Sequence, residues 1–323
     1  MTGDGKSPSA RHSAFFLVGC TAAGKTAVAH AIARESGAWV LSADSMLVYR
    51  GMDVGTAKPT AAERAGVVLR GVDLADPDEL FSAGRWLEEA RAAEREAAAG
   101  GKDLIVAGGT GLYVSALLRG IDAPAAPAER RAELEELLAR EGTEALVALA
   151  ESLSPGSTAA IDAKNPRRLV RLVEILEADA ASAPRADARA PAPKDPVLVG
   201  LDFPPEELNE RIERRARAMF EGGLLDEVRA LCGRFPGFER STAGAGIGYA
   251  EALAALRGEI SADEAVARTA LRTRRLAKKQ RTWWRHQARV EWVRGPADES
   301  DVARAAREVR DLWRKHGKAD LAI

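Results

Sequence analysis

Residues Gly19, Cys20, Thr21, Ala22, Ala23, Gly24, Lys25 and Thr26 follow the pattern G-x-x-x-x-G-K-[ST] without a gap. They stand between an apolar run, "FFLV" from Phe15, and an alanine-rich run, "AVAHAIA" from Ala27. A loop of small residues between a strand and a helix lets successive backbone N–H groups turn inward around phosphate oxygens. The start of the helix adds the positive end of its dipole. In that setting Lys25 brings a mobile positive charge to an outer phosphate and Thr26 a hydroxyl to a magnesium ion. A chance glycine turn ahead of a helix would share the letters but not both flanks. The pattern points to phosphate binding and leaves open which phosphate.

A site that hydrolyses ATP usually adds an apolar strand ending in Asp, which holds the magnesium. The best candidate, "LIVAGGTG" from Leu104, ends in glycines, so that apparatus is expected to be absent. One carboxylate does stand at a strand end: Asp44 in "VLSADSMLVYRGMDVGTAKP". Ligands of an open parallel sheet sit outside the carboxyl ends of its strands, which places Asp44 in the same crevice as the loop. Asp after a strand reads equally as a helix N-cap.

The elements that must position these groups follow from the apolar pattern. Ala14 to Val18 reads as a short buried strand and Lys25 to Arg34 as a helix; "WVLS" from Trp39, "LIVAGG" and "VLVGLDF" from Val197 read as further strands. Their alternation with helical stretches predicts an α/β fold, a P-loop NTPase-like core with a mainly parallel sheet. Between Gly120 and Pro196 charged amphipathic helices such as "ERRAELEELLARE" give way to a Pro/Ala-rich tract, "ADAASAPRADARAPAPKDP". The expected organisation is a disordered arm over 1–13, a discontinuous core over 14–119 and 195–323, and a small helical insertion domain over 120–194. From Glu207 onward the chain reads as largely helical, with a short strand at "VEWV" from Val290.

The 323 residues are 46% hydrophobic and 29% charged with a net charge of -1, the balance of a soluble globular protein and not of a chain basic throughout. Any nucleic-acid surface must be local. It has a candidate: between Glu264 and Glu291 no acidic residue occurs, while Arg268, Arg272, Arg274, Arg275, Lys278, Lys279, Arg281, Arg285 and Arg289 accompany Trp283 and Trp284. Basic residues interleaved with aromatics suit an RNA backbone with stacking. An amphipathic helix that buries both tryptophans and solvates its arginines has the same composition. The two cysteines, Cys20 and Cys232, form neither a disulfide framework nor a metal pair, which fits a reducing cytoplasm. No apolar run is long enough to span a bilayer, and "MTGDGKSPSARHS" has no apolar leader core.

In order along the chain, "GCTAAGKT", "SADSMLVYRGMDVGTAKP", "AGGTGLYVSALLRG", "NPRRLVRLVEILE", "RIERRARAMFEGGLLDEVRAL", "GIGYAEAL" and "TRRLAKKQRTWWR" resemble the motifs of bacterial tRNA dimethylallyltransferases, the tRNA isopentenyltransferases. The resemblance runs from Phe15 to about Val293. It implies transfer of a dimethylallyl group from dimethylallyl diphosphate to N6 of the adenosine just 3′ of the anticodon, with Mg2+ as cofactor. The loop's phosphates would then be a leaving group rather than the tail of ATP. Their growing charge calls for fixed cations and N–H donors. The resemblance selects Arg215 for this; the residues alone do not separate it from Arg211 or Arg214. It makes Asp44 the base that takes the acceptor's proton, a task in which placement matters more than basicity, because the proton becomes strongly acidic once nitrogen bonds to carbon. Thr110 would touch the diphosphate or nearby substrate, although its position also suits a helix N-cap.

An adenine inside an anticodon stack cannot reach such a crevice, so the nucleotide should be extruded into the protein. The resemblance assigns the vacated anticodon stem-loop to Asp44, Ser45, Met46 and Leu47, to Arg167, Arg168 and Arg171 of "RRLVR", to Gly248 and Tyr249 of "GIGY", and loosely to Arg130. Arg274, Lys278 and Arg281 are the expected contacts from the basic run, with the insertion domain as a clamping wall. The chain departs from the family pattern at Ala245, where an arginine or other polar residue is common, at Arg167, often glutamine, and in the Pro/Ala tract. Structural zinc is not expected, since His12, His30, His286 and His316 are scattered, and a monomer is. A small-molecule ATP kinase, a prenyltransferase for free adenine nucleotides and a nucleotide-switched RNA-binding module are the competing readings; none explains the motif set as well.

Overall fold

The computed structural model describes residues 12–120, 127–163, 165–181 and 196–322. The chain divides into two compact units, Met1–Gly120 with Pro193–Ile323, and Ile121–Ala192. The first contains β1 (Ser13–Gly19), α1 (Lys25–Ser36), β2 (Trp39–Ala43), α2 (Ala61–Arg64), β3 (Leu69–Arg70), α3 (Ala83–Ala99), β4 (Leu104–Gly108) and α4 (Gly111–Arg119). The second contributes α5 (Ala128–Glu141), α6 (Thr143–Leu153) and α7 (Pro166–Ala181). The first unit then resumes with β5 (Val197–Asp202), α8 (Pro205–Glu221), α9 (Leu224–Arg234), α10 (Tyr249–Leu256), α11 (Ala262–Gln287), β6 (Arg289–Arg294), α12 (Val302–His316) and β7 (Ala319–Asp320).

The sheet has the order β3-β2-β4-β1-β5-β6. Neighbours along this path are parallel, and β7 adds an antiparallel pairing at the start of β1. Alternation along β1 sends Phe16 and Val18 into one core with Leu41, Val106, Trp86 and Trp284, and Leu17 into the other with Val40, Ile105, Val199, Ile32 and Trp313. Burial on both faces is why the strands read as unbroken apolar runs. Two of these three indoles are also hydrogen-bonded into the sheet: Trp86 Nε1 donates to Ser42 O at 2.9 Å and Trp313 Nε1 to Phe16 O at 3.1 Å. The helices α1 and α12 pack together on the second face.

Several expectations need correction. Ser13 pairs with Asp320, so the N-terminal arm cannot extend to residue 13; residues 1–11 lie outside the described ones. The Pro/Ala tract begins inside α7, and its stretch 182–195 lies outside the described residues. The short strand expected at "VEWV", by contrast, is present as β6, parallel to β5 over Val197–Asp202. The strands β3 and β7 span two residues each, too short to leave a period in the sequence.

The helical unit has its own core of Leu134, Leu146, Ala150, Leu169, Val170 and Val173. Glu174 is buried there and answered by Arg131 and Arg171, each at 2.9 Å. Among the described residues no helix is long and apolar enough to cross a membrane.

Candidate active site

The loop after β1 is possible because of two glycines. Gly19 has φ +136° and packs so closely on β5 that a Cβ would lie 2.3 Å from Leu201 O. Gly24 has φ +86°, and a Cβ there would meet Pro296 at 2.8 Å. The loop is fastened from outside: Thr21 N donates to Gln280 Oε1 at 2.9 Å and Arg211 Nε to Ala22 O at 3.0 Å. Cys20 Sγ donates to Ala277 O at 3.3 Å. Among the described residues the N–H groups of Ala22, Ala23 and Gly24 meet no protein acceptor, so they are available to an anion. Lys25 Nζ folds back on Cys20 O at 2.6 Å. Burial pushes the Lys25 ammonium down to about 8, with the Asp44 carboxylate opposing the shift. Thr26 is exposed in the first turn of α1.

Asp44 leaves the end of β2 and bends back, Oδ1 accepting from Met46 N at 2.9 Å. No helix follows, so Asp44 is not an N-cap. Thr110 does occupy the N-cap position of α4, but its hydroxyl accepts from Ser45 N at 3.1 Å instead of capping the helix. Its own N–H donates to Ala43 O at 3.0 Å. Thr110 thereby stitches the start of α4 to the loop that carries Asp44. Arg215 reaches in from α8, donating to Thr56 O at 2.8 Å, and burial pulls its guanidinium below the usual range while Asp44 opposes this.

Two cavities meet at these groups. One, of about 650 Å³, is lined by Lys25, Thr26, Arg211, Arg214 and the loop backbone. The other, of about 490 Å³, is lined by Met46, Ile212, Met219, Ile247, Leu276 and Trp283. Both include Thr21, Asp44, Thr56, Gly109, Arg215 and Gln280. A cationic chamber and a largely apolar one therefore share a wall that carries a carboxylate and a guanidinium. Such a wall suits a reaction in which negative charge develops on one side and a proton leaves on the other.

Of the α8 arginines, Arg215 lines both cavities, whereas Arg211 and Arg214 line only the first. Arg211 holds Ala22 O and Ala297 O and stacks over Phe203 at 4.5 Å, so it supports the loop at the edge of the first cavity. The strand "LIVAGG" ends in glycines as read, but a carboxylate besides Asp44 stands at a strand end: β5 closes on Asp202. That carboxylate is answered by Arg281 at 2.6 Å, which also donates to Phe203 O. Arg281 is therefore an internal tie and not an exposed RNA contact. Tyr249 is also corrected as a surface contact: its ring is fully buried and its hydroxyl donates to Glu227 at 2.6 Å. Gly248 beside it is buried, its N–H on Glu251 Oε2 at 2.8 Å.

Of the other basic candidates, Lys278 is exposed, and so is Arg168 in the helical unit. Arg274 is paired with Glu213, Arg130 with Glu133 and Glu177, and Arg171 with Glu174. The Arg167 side chain lies outside the described residues. Ser45 is exposed, Met46 half-buried and Leu47 buried. The two tryptophans divide the alternatives between them: Trp284 is core, whereas Trp283 lines the apolar cavity and packs edge-on against Trp284.

Sequence reading missed three residues. Gln280 bridges Thr21 to Gly109 O, which it meets at 3.0 Å. Glu227 gathers the N–H groups of Asp53, Val54 and Gly55 at 2.7–3.2 Å. Lys58 is buried on Tyr49 O, Asp53 and Asp73. Glu227 and Lys58 together fix the loop that offers Thr56 O to Arg215.

The family model described as IPP transferase matches residues 47–287. The chain belongs to the IPP transferase family. A second model, isopentenyl transferase, matches residues 12–72. Among similar proteins, a tRNA dimethylallyltransferase of Anaeromyxobacter sp. (strain K) is 46% identical over 300 residues, 91% of this chain and 97% of the relative. One from Roseiflexus sp. (strain RS-1) is 38% identical over 299 residues, 92% of this chain and 97% of the relative. The crystal structure of the full-length tRNA isopentenylpyrophosphate transferase of Bacillus halodurans matches with a TM-score of 0.65 at 33% identity, covering 94% of this chain and 100% of that one. A eukaryotic dimethylallyltransferase acting on tRNA matches with a TM-score of 0.72 at 20% identity, over 94% of this chain and 76% of that one, a likeness of fold alone. This IPP transferase thus has relatives of nearly its own length, with the α/β core described above.

Proposed function

We propose that the chain transfers a dimethylallyl group from dimethylallyl diphosphate to N6 of the adenosine 3′-adjacent to the anticodon in tRNA, releasing diphosphate. Beyond family membership, one observation carries this reading: Asp44 and Arg215 stand on the wall common to a cationic cavity and an apolar one. The diphosphate takes the cationic side, where the loop N–H groups, Lys25 and Arg215 meet the charge that grows as the allylic carbon–oxygen bond breaks. The dimethylallyl group points through the shared wall. The extruded adenine enters from the apolar side, N6 bonds to the allylic carbon, and Asp44 accepts the N6 proton. Thr110 keeps the Asp44 loop in register with α4.

Among the described residues no cluster of three His, Cys, Asp or Glu side chains is placed to hold a metal. The exposed Thr26 hydroxyl at the cationic cavity suits Mg2+, which keeps several waters and takes few protein oxygens beside substrate phosphates. Thr26 would hold it. When bound it supplies positive charge to the leaving diphosphate. The tRNA would lie along Ser45, Met46, Leu47 and the exposed basic side chains of α11, Lys278 foremost.

Incubation with labelled dimethylallyl diphosphate, magnesium and unmodified tRNA tests the reading. Label on the RNA, at the adenosine beside the anticodon, is expected. Phosphate release from ATP without any transfer of label would overturn it.

A further inference from the structure

Gln280 belongs to α11, yet it lies on the wall common to both cavities. Its Oε1 accepts from Thr21 N at 2.9 Å and its Nε2 donates to Gly109 O at 3.0 Å. One planar carboxamide thus ties the phosphate loop to the turn that opens α4. That turn is itself fastened to the Asp44 loop, through Thr110 N on Ala43 O and Ser45 N on Thr110 Oγ1. With Thr21 N engaged, the next three N–H groups, on Ala22, Ala23 and Gly24, are among those open to phosphate. The fit is close: a Cβ on Gly109 would stand 2.5 Å from Gln280 Nε2 and 3.0 Å from Gly19 O.

Taking prenyl transfer as the reaction, we propose that Gln280 is a positioning residue that fixes the separation between the phosphate loop and the Asp44 loop. Displacement at the allylic carbon needs the leaving oxygen, the carbon and the incoming nitrogen in near-attack geometry, and about 1 Å of slack costs on the order of 10²-fold in rate. A carboxamide bonded to both loops removes that slack without touching the reacting atoms. Methionine at 280 keeps the volume but leaves Thr21 N and Gly109 O without partners, and the two loops drift independently.

Gln280→Met, Gly109→Ala and the double variant test this, with turnover and affinity for a non-reactive dimethylallyl thiolodiphosphate measured separately. Gln280→Met lowers kcat about 30- to 100-fold while analogue affinity stays within about threefold. Gly109→Ala, whose added methyl displaces the carboxamide, gives a loss of similar size, and the double variant falls no further than the worse single one. Independently of turnover, amide exchange at Thr21 accelerates in Gln280→Met. Normal kcat in Gln280→Met, losses that multiply in the double variant, or a loss confined to analogue affinity overturns the proposal. If the unaltered protein transfers no label, the prenyl reading fails; amide exchange then decides the tie, and unchanged exchange at Thr21 rejects it.

Discussion

Two side chains carry the chemistry and each makes its own prediction. Asp44 is held by Met46 N and faces both cavities, so Asp44→Asn removes the base while keeping shape and that hydrogen bond. Turnover should fall by about 10²- to 10⁴-fold with tRNA affinity nearly unchanged; a variant with near-normal turnover removes Asp44 from this role. Lys25 predicts a pH dependence. Its ammonium, pushed down to about 8 by burial, must be charged to hold diphosphate, and a bound diphosphate draws its proton in more tightly. Donor affinity is therefore level below pH 8 and weakens above it, approaching a factor of about ten per pH unit. Titrating a thiolodiphosphate analogue from pH 7 to 10 reads this directly, and Lys25→Arg, which does not lose its charge, should be flat. An equally flat profile for the unaltered protein contradicts the assignment. The glycines, Lys25 and Thr26 were legible because their chemistry is local. Gln280 was not, since its meaning depends on Thr21, 259 positions away.

At the scale of elements, the apolar runs revealed the central strands because both faces of the sheet are buried and each strand declares itself. The two-residue strands β3 and β7 had no pattern to declare. The basic-aromatic stretch left open whether α11 faces RNA or the core; the helix buries Trp284 and leaves Arg275, Lys278, Lys279 and Arg285 exposed. Trp284 is fully buried against Trp283, and its indole N–H meets no acceptor among the described residues. Trp284→Ala should cost about 3–5 kcal/mol in denaturant unfolding. Trp284→Phe should cost less than about 2 kcal/mol, because it also removes an unsatisfied donor. Equal costs would mean that the indole N–H is satisfied after all. Similar reasoning explains why Tyr249 and Arg281 misled: each sits in a motif, and motifs record buried ties such as Tyr249 to Glu227 as faithfully as ligand contacts.

At the scale of the molecule, a net charge of -1 coexists with the strongly basic α11, so RNA binding must be a local electrostatic event. Arg275, Lys278, Lys279 and Arg285 are exposed on α11, and no carboxylate pairs with them among the described residues. Affinity for an anticodon stem-loop should fall linearly on a log–log plot against salt. Lys278→Ala should reduce that slope by about one. A slope near zero means that α11 does not meet phosphates. The fold class and the shared crevice were readable because strand ends in a parallel sheet converge on one edge. The pairing of a cationic chamber with an apolar one was not, because it depends on side chains from β2, α8 and α11 meeting in space. The most direct test of that pairing is a crystal soaked with dimethylallyl thiolodiphosphate, read by the anomalous signal of its bridging sulfur. The account predicts that sulfur at the wall between Lys25 and Asp44, with the carbon chain directed into the apolar cavity. A sulfur elsewhere, or ATP seated in the loop while the analogue is excluded, contradicts it.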